Sequence, residues 1–252
     1  MKEKNIRSKL NEKQKKIQKC SSINYEIRDS RSYFKLLLLD DSLLNSLNEQ
    51  LLIISKNFEM KILRRSELNE NHIEQILDIT RYNMKKLYDQ NPWGDIWKNG
   101  WDDDLKFQEL SDEACNYIII YRKIDESKYS HQTEHYITNI FENFDSEIEI
   151  VSFLCFKIEL EQSIIPGKLY SVGYMYEIQS LHKSNGCGKL LIDMFCRICE
   201  KMKLDKIMCT VLKKNKGAIK FYSNKCKFNI DEISPINEPY IILSKNINES
   251  NF

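Results

Sequence analysis

Apolar and polar side chains alternate along Tyr174 to Gln179: Tyr174, Tyr176 and Ile178 share one parity, and Met175, Glu177 and Gln179 the other. A period of two predicts a β-strand, here running from Leu169 to Gln179. From Leu190 the period lengthens to that of a helix. Leu190, Leu191, Met194, Phe195, Ile198 and Met202 fall on one face, with Asp193, Arg197 and Lys201 off it. Elsewhere the same reading predicts strands at Phe58 to Leu63, Cys115 to Arg122, Ile148 to Glu161, Lys206 to Leu212, Lys225 to Ile233 and Tyr240 to Ser244. A long helix is predicted over residues 67–90 and a short one from Asn215 to Tyr222. The Pro-Gly turn between Ser163 and Lys168 joins two strands as a hairpin. The order is strand, helix, helix, three strands, helix, strand, helix, two strands. It predicts an α/β (α+β) domain, with a mixed central sheet and helices on both faces.

This pattern fills residues 58–246, and the segments outside it differ in character. Residues 1–30 form a basic arm. Its first twenty carry eight Lys/Arg against Glu3 and Glu12, a net of +6 in a chain of +1 overall, which leaves the remainder at −5. The arm suits nucleic acid, the ribosome or an import receptor, and equally a solvated tail; the acidic body suits a basic partner. Residues 31–57 are leucine-rich and predict helix packed on the body, while 247–252 form a tail. Residues 123–147 are polar and predict an inserted loop without chemistry, His131 and His135 included. The eight cysteines are scattered, and Cys196 and Cys199 fall within a helix without partner ligands. They predict reduced core residues and no metal. No apolar run is long enough to span a membrane.

Between the strand and the helix lies Lys183-Ser184-Asn185-Gly186-Cys187-Gly188. Two glycines at a helix start let amides approach a ligand, and the helix end favours an anion such as a diphosphate. A plain strand-to-helix turn would read the same way. All three tryptophans, Trp93, Trp97 and Trp101, lie in one short segment, with Pro92 and Gly94 on either side of Trp93 marking a turn. They predict either a staple onto the core or an aromatic wall for a ligand. Asp102, Asp103 and Asp104 read as a solvated helix face or as an outer acidic rim.

Ile178, the loop Lys183 to Gly188, and the downstream set Asn215, Ala218, Phe221, Tyr222 and Phe228 resemble the acetyl-CoA motifs of the GCN5-related N-acetyltransferase (GNAT) superfamily. Lys183 stands where that superfamily has Arg or Gln, and Lys227 where it has Gly. Four further segments narrow the resemblance: Tyr88-Asp89-Gln90 with Trp93-Gly94, Tyr174 to Gln179, Thr210-Val211 with Asn215 to Ala218, and Ser234-Pro235 with Tyr240 to Ser244. They are similar to the NatD branch, the N-alpha-acetyltransferases of the N-terminal serine of histone H4 and histone 2A. The likeness runs from about residue 60 to 245, interrupted by the 123–147 insertion, and includes a basic arm.

The resemblance implies a GNAT fold, acetyl-CoA as acetyl donor and no metal. It implies Glu177 as general base, and Tyr222 at the place of an acid that protonates the leaving thiolate; relatives can carry Phe there. Backbone groups of Ile178, Gln179 and Ser180 would pair with the pantetheine arm. The loop of Lys183, Ser184, Asn185, Gly186, Cys187, Gly188 and Lys189 would hold the pyrophosphate, and Asn215 would contact the cofactor. Tyr88, Trp93, Tyr174, Tyr176, Thr210 and Tyr240 would bind the peptide. Glu159 stands where relatives have an aspartate that grips the substrate terminus. The implied partners are histone H4 and histone 2A tails beginning Ser-Gly-Arg-Gly, met by a monomer in nucleus and cytoplasm. An α-amine is roughly one-tenth neutral at pH 7 and a lysine about one part in 2,500, so a terminal-amine enzyme needs only modest base help. Two rival readings stand beside this one: acetylation of a lysine or small amine, and a non-catalytic acyl-CoA-binding module. Glu177 and the intact Gly186-Cys187-Gly188 argue against the second.

Overall fold

The computed structural model describes residues 58–123, 148–183 and 185–247. The basic arm, the leucine-rich segment, the insertion beyond Lys123, Ser184 and residues 248–252 lie outside the described residues. Strand β1 (Phe58–Arg64) leads through a short 3-10 turn into α1 (Glu70–Gln90). Asn69 starts α1: its side chain accepts from the His72 amide, and His72 Nδ1 accepts from the Asn69 amide. Ile73, Ile76, Leu77 and Ile79 form its buried stripe, and Tyr88 sits buried in its last turn. After the tryptophan segment come α2 (Asp103–Leu110), β2 (Asn116–Lys123), β3 (Ile148–Gln162) and β4 (Leu169–Ser180). Then follow α3 (Cys187–Lys201), β5 (Lys206–Leu212), α4 (Lys216–Lys220), β6 (Asn229–Ile230) and β7 (Tyr240–Asn246).

The strands make one seven-stranded sheet in the order β1-β2-β3-β4-β5-β7-β6. Neighbours are antiparallel except β4 and β5. On one face α1 buries Tyr117, Ile119, Tyr121, Phe153 and Cys155. On the other face α3 packs across β2, β3, β4 and β5, with Phe195 against Phe156 at 4.6 Å between ring centres. Both faces of β2 are therefore apolar, which is why Tyr117 to Tyr121 forms an unbroken run.

Two irregularities in β4 position everything that follows. First, its parallel pairing with β5 spans only Val172↔Lys206 to Met175↔Cys209. Beyond that point β5 stays with β7 and β4 with β3, so the two strands part. Second, Cys155 pairs with Glu177 while Phe156 pairs with Met175, which leaves Tyr176 as the extra residue of a β-bulge. The bulge overturns the simple alternation expected from Tyr174 to Gln179. Tyr174, Tyr176, Glu177 and Gln179 all address the α1 face, while Met175 faces α3 beside Phe156. Without the extra residue Glu177 would point at α3.

The strand expected from Lys225 to Ile233 shrinks to Asn229–Ile230. A π-helical turn, Phe221–Lys225, takes its first residue, and Lys227 has φ +63°, which no extended strand tolerates. That left-handed position is where the family resemblance expects glycine. Asp231 then turns back to a buried ion pair with Lys206 at 2.7 Å, fixing the start of β5.

Gly173 marks a close approach of α3 to the sheet. A Cβ there would lie 2.5 Å from Cys199 Sγ and 2.9 Å from the Phe195 ring. Gly173→Ala should therefore destabilise the fold by about 1–3 kcal/mol, measured as a lower denaturant midpoint at unchanged slope.

Candidate active site

The wedge where β4 leaves β5 collects the polar groups. Its floor is closed by a 2.6 Å hydrogen bond between the Tyr174 hydroxyl on β4 and Thr210 Oγ1 on β5. One step along, Tyr176 packs its ring 5.5 Å from that of Tyr174 and donates its hydroxyl to Glu159 Oε1 at 2.9 Å. Lys157 Nζ lies 4.3 Å above the Tyr176 ring, and Asp112 accepts from it at 2.8 Å.

Glu177 is the buried carboxylate of the site, with its side chain 8% exposed. Gln179 Nε2 donates to its Oε1 at 2.8 Å, and Lys106 Nζ donates to its Oε2 at 3.2 Å. Burial pushes the Glu177 carboxyl above the ordinary glutamate range, against the pull of the Lys106 charge and the Gln179 hydrogen bond. Burial alone would lower the Lys106 ammonium; Glu177, then Tyr88 and Glu109, outweigh it and hold it above the lysine range.

Lys106 is the residue that the sequence reading missed. It lies on the inner side of α2, one turn before buried Leu110. Asp102 caps that helix by accepting from the Leu105 amide at 3.0 Å. Ahead of the cap, Asp89 Oδ1 accepts from the Trp101 amide at 2.9 Å, and Asp103 Oδ1 accepts from Trp101 Nε1 at 2.7 Å. Asp103 also pairs with Arg81 of α1 at 2.6 Å, so Asp102 and Asp103 are anchors and not merely a solvated face. The pinned segment folds Trp97 and Trp101 over the ammonium, 4.9 and 6.0 Å from its nitrogen, with Tyr88 at 5.3 Å. Two of the three tryptophans thus serve the core and a lysine. The sequence signal was those indoles just upstream of a lysine, since aromatic faces attract a cation.

Trp93 is the third. It packs on Tyr240 at 5.1 Å and on Tyr88 at 6.3 Å. Its indole Nε1 is buried without a hydrogen-bond partner among the described residues, a donor that a ligand acceptor would satisfy. The expected peptide-side residues thus fall into two contact sets, Tyr88, Trp93 and Tyr240 in one and Glu159, Tyr174, Tyr176 and Thr210 in the other, with Tyr88, Trp93, Tyr176 and Tyr240 sharing one apolar cluster.

Tyr222 lies in the π-helical turn after α4, buried between Phe221 and Phe228. Burial raises its hydroxyl well above the usual tyrosine range, with Cys209 and Glu177 adding to the effect. It stays protonated at neutral pH. Asn215 caps α4, its Oδ1 accepting from the Ala218 amide at 3.1 Å.

The expected cofactor residues form the other arm of the wedge. Ile178, Gln179 and Ser180 lie where β4 has lost β5, and Asn83 of α1 donates to the Ser180 carbonyl at 3.1 Å. The chain then reaches α3 through Gly186, which caps that helix with φ +88°. Asn185 Oδ1 accepts from the Cys187 amide at 3.0 Å, a place that a phosphate oxygen could take over. Lys183 leads into the loop, and Lys189 in the first turn pairs with Asp193. A Cβ on Gly188 would meet only Phe221 Cζ, at an ordinary 3.5 Å. Among the described residues no contact demands glycine there, so its bareness fits a ligand that approaches the amides. A strand edge followed by a helix N-terminus fits an extended arm ending in a diphosphate.

The model of the acetyltransferase (GNAT) family matches residues 91–228, more than half of the chain. Among solved structures the chain is similar to Arabidopsis thaliana NAA60 in complex with a bisubstrate analogue. Identity is 13%, the match covers 74% of this chain and 98% of that one, and the TM-score is 0.47. It is also similar to the PaiA N-acetyltransferase of Thermoplasma acidophilum in complex with coenzyme A, at 14% identity over 75% and 99% of the two chains, with a TM-score of 0.45.

Gly188→Val should weaken coenzyme A binding about 10-fold or more, the value of one or two charge-assisted hydrogen bonds, in a calorimetric titration. Unchanged affinity would move the phosphate site elsewhere.

Proposed function

The chain belongs to the acetyltransferase (GNAT) family, and on that premise we propose that it moves an acetyl group from acetyl-CoA to the α-amine of a protein N-terminal serine, in tails beginning Ser-Gly-Arg-Gly such as those of histone H4 and histone 2A. The observation that carries this reading is Glu177: a buried carboxylate just beyond the point where β4 and β5 part, held by Lys106 and Gln179.

Acetyl-CoA supplies a thioester carbonyl open to attack by an amine. The stretch of β4 from Ile178 to Ser180, no longer paired with β5, would pair with its pantetheine arm, and the amides at the start of α3 would hold its pyrophosphate. Glu177 takes a proton from the substrate ammonium and leaves a lone pair on nitrogen. Its raised affinity for protons suits it to an amine that is already partly neutral at pH 7. The amine nitrogen attacks the thioester carbonyl, the C–N bond forms and the C–S bond breaks, and coenzyme A leaves as a thiolate. Tyr222, which matches the place of an acid in the family motif, would give that sulfur its proton, although burial makes its hydroxyl a weaker acid. The unpartnered Trp93 Nε1 supports a role in binding a peptide carbonyl. Glu159, held by Tyr176, and the net negative charge outside the first twenty residues support selection of a basic tail.

Glu177→Gln should lower kcat at least ~100-fold, the usual scale of lost general-base help, in a protein that still folds but melts lower, because Lys106 loses one of its two buried carboxylate partners. Wild-type kcat should fall as pH drops through a value above the ordinary glutamate 4.5, because the neutral carboxyl cannot accept a proton. The substrate assignment is tested with a Ser-Gly-Arg-Gly-Lys peptide and its terminally blocked twin. Only the free peptide should turn over; equal rates on both would assign the enzyme to lysine side chains.

A further inference from the structure

A lysine whose side chain is 1% exposed is among the rarest of core residues. Lys106 has no packing advantage over leucine there, so its charge is the reason for its presence. The ammonium touches two carboxylates, Glu177 at 3.2 Å and Glu109 at 2.6 Å, and the Tyr88 hydroxyl at 3.5 Å. The Trp97, Tyr88 and Trp101 rings cover it and keep it dry. The groups facing Glu177 are Tyr88 from α1, Lys106 and Glu109 from α2, Cys155 opposite it on β3, Gln179 on its own strand and Tyr222 beyond α4. Lys106 is the cation of that set. Without it, Glu177 would keep one neutral donor, Gln179, in a buried place, and a carboxyl so placed holds its proton at neutral pH.

We infer that Lys106 is a positioning residue of acetyl transfer: its ammonium keeps the buried Glu177 carboxylate ionised and fixed in one rotamer, while Glu109 draws off part of that charge and leaves Glu177 basic enough to take a proton. This rests on the reading of Glu177 as the base. Glu109 is a quarter exposed, at 26%, so one end of the carboxylate–ammonium–carboxylate row meets solvent and the other meets the wedge. The arrangement sets the basicity of Glu177 from α2, an element other than the one that carries it.

The test is the pH profile of kcat/KM in the full chain. Lys106→Met, similar in length and uncharged, should move the acidic limb upward by about 1–3 pH units, the usual effect of losing an opposite charge at this distance, with activity returning at high pH. Glu109→Gln should move the limb the other way, because Lys106 then serves Glu177 alone. A purely structural lysine would lower the rate by one factor at every pH. Infrared difference spectra against Glu177→Gln read the protonation of the Glu177 carboxyl directly and need no substrate. They should give the same order: Glu109→Gln lowest, wild type between, Lys106→Met highest. A limb, or an infrared titration, that stays in place in either folded variant overturns the proposal. Should Lys106→Met fail to fold, Glu109→Gln decides alone. Should wild type acetylate no amine, the infrared series still decides the role of Lys106, while the proposed function fails separately.

Discussion

A carboxylate buried as deeply as Glu177 is costly unless a cation is buried with it, and much of the architecture around the wedge meets that requirement. The cation, Lys106, sits on the two-turn helix α2, on the side that also buries Leu110. Asp102 caps the helix, Asp89 and Asp103 pin the segment before it, and Trp97, Trp101 and Tyr88 cover the ammonium. Removing one partner of such a pair leaves an uncompensated charge, which typically costs about 3–5 kcal/mol. The site and the stability of its surroundings are therefore coupled.

The second constraint is geometric. A continuous parallel ladder between β4 and β5 would leave no backbone edge for a ligand and no gap for a substrate. The ladder ends at Met175↔Cys209, and the bulge at Tyr176 follows at once. One inserted residue swings Glu177 from the α3 face to the face where Lys106 waits. The same turn of the strand exposes Ile178 to Ser180 on the side that β5 has vacated. The edge that β5 has vacated and the buried carboxylate thus come from consecutive residues of one strand.

Much of this was legible in the residues. The apolar pattern predicts β5 at Lys206 to Leu212, its observed bounds, because a run buried on both faces is bounded by charged turns. The glycine turn between strand and helix appears as expected, with Gly186 left-handed at the cap. Glu177 was legible as a candidate, but not its orientation: a bulge depends on the pairing partner, here Cys155 and Phe156, and leaves no mark on the strand's own alternation. Lys106 was illegible for a similar reason. A lysine in a short helix reads as solvated, and its burial depends on Glu177, 71 residues away in sequence. The shortened β6 follows from a left-handed Lys227, a conformation that the pattern of side chains does not announce.

In the proposed reaction the wedge delivers a terminal amine to Glu177. The most direct measurement is fragment mass spectrometry of a Ser-Gly-Arg-Gly-Lys peptide after reaction with acetyl-CoA, because it localises the acetyl group within one molecule carrying both kinds of amine. The account predicts the mass increment on the serine nitrogen with the lysine unmodified. An increment on the lysine, with the serine amine free, would contradict it.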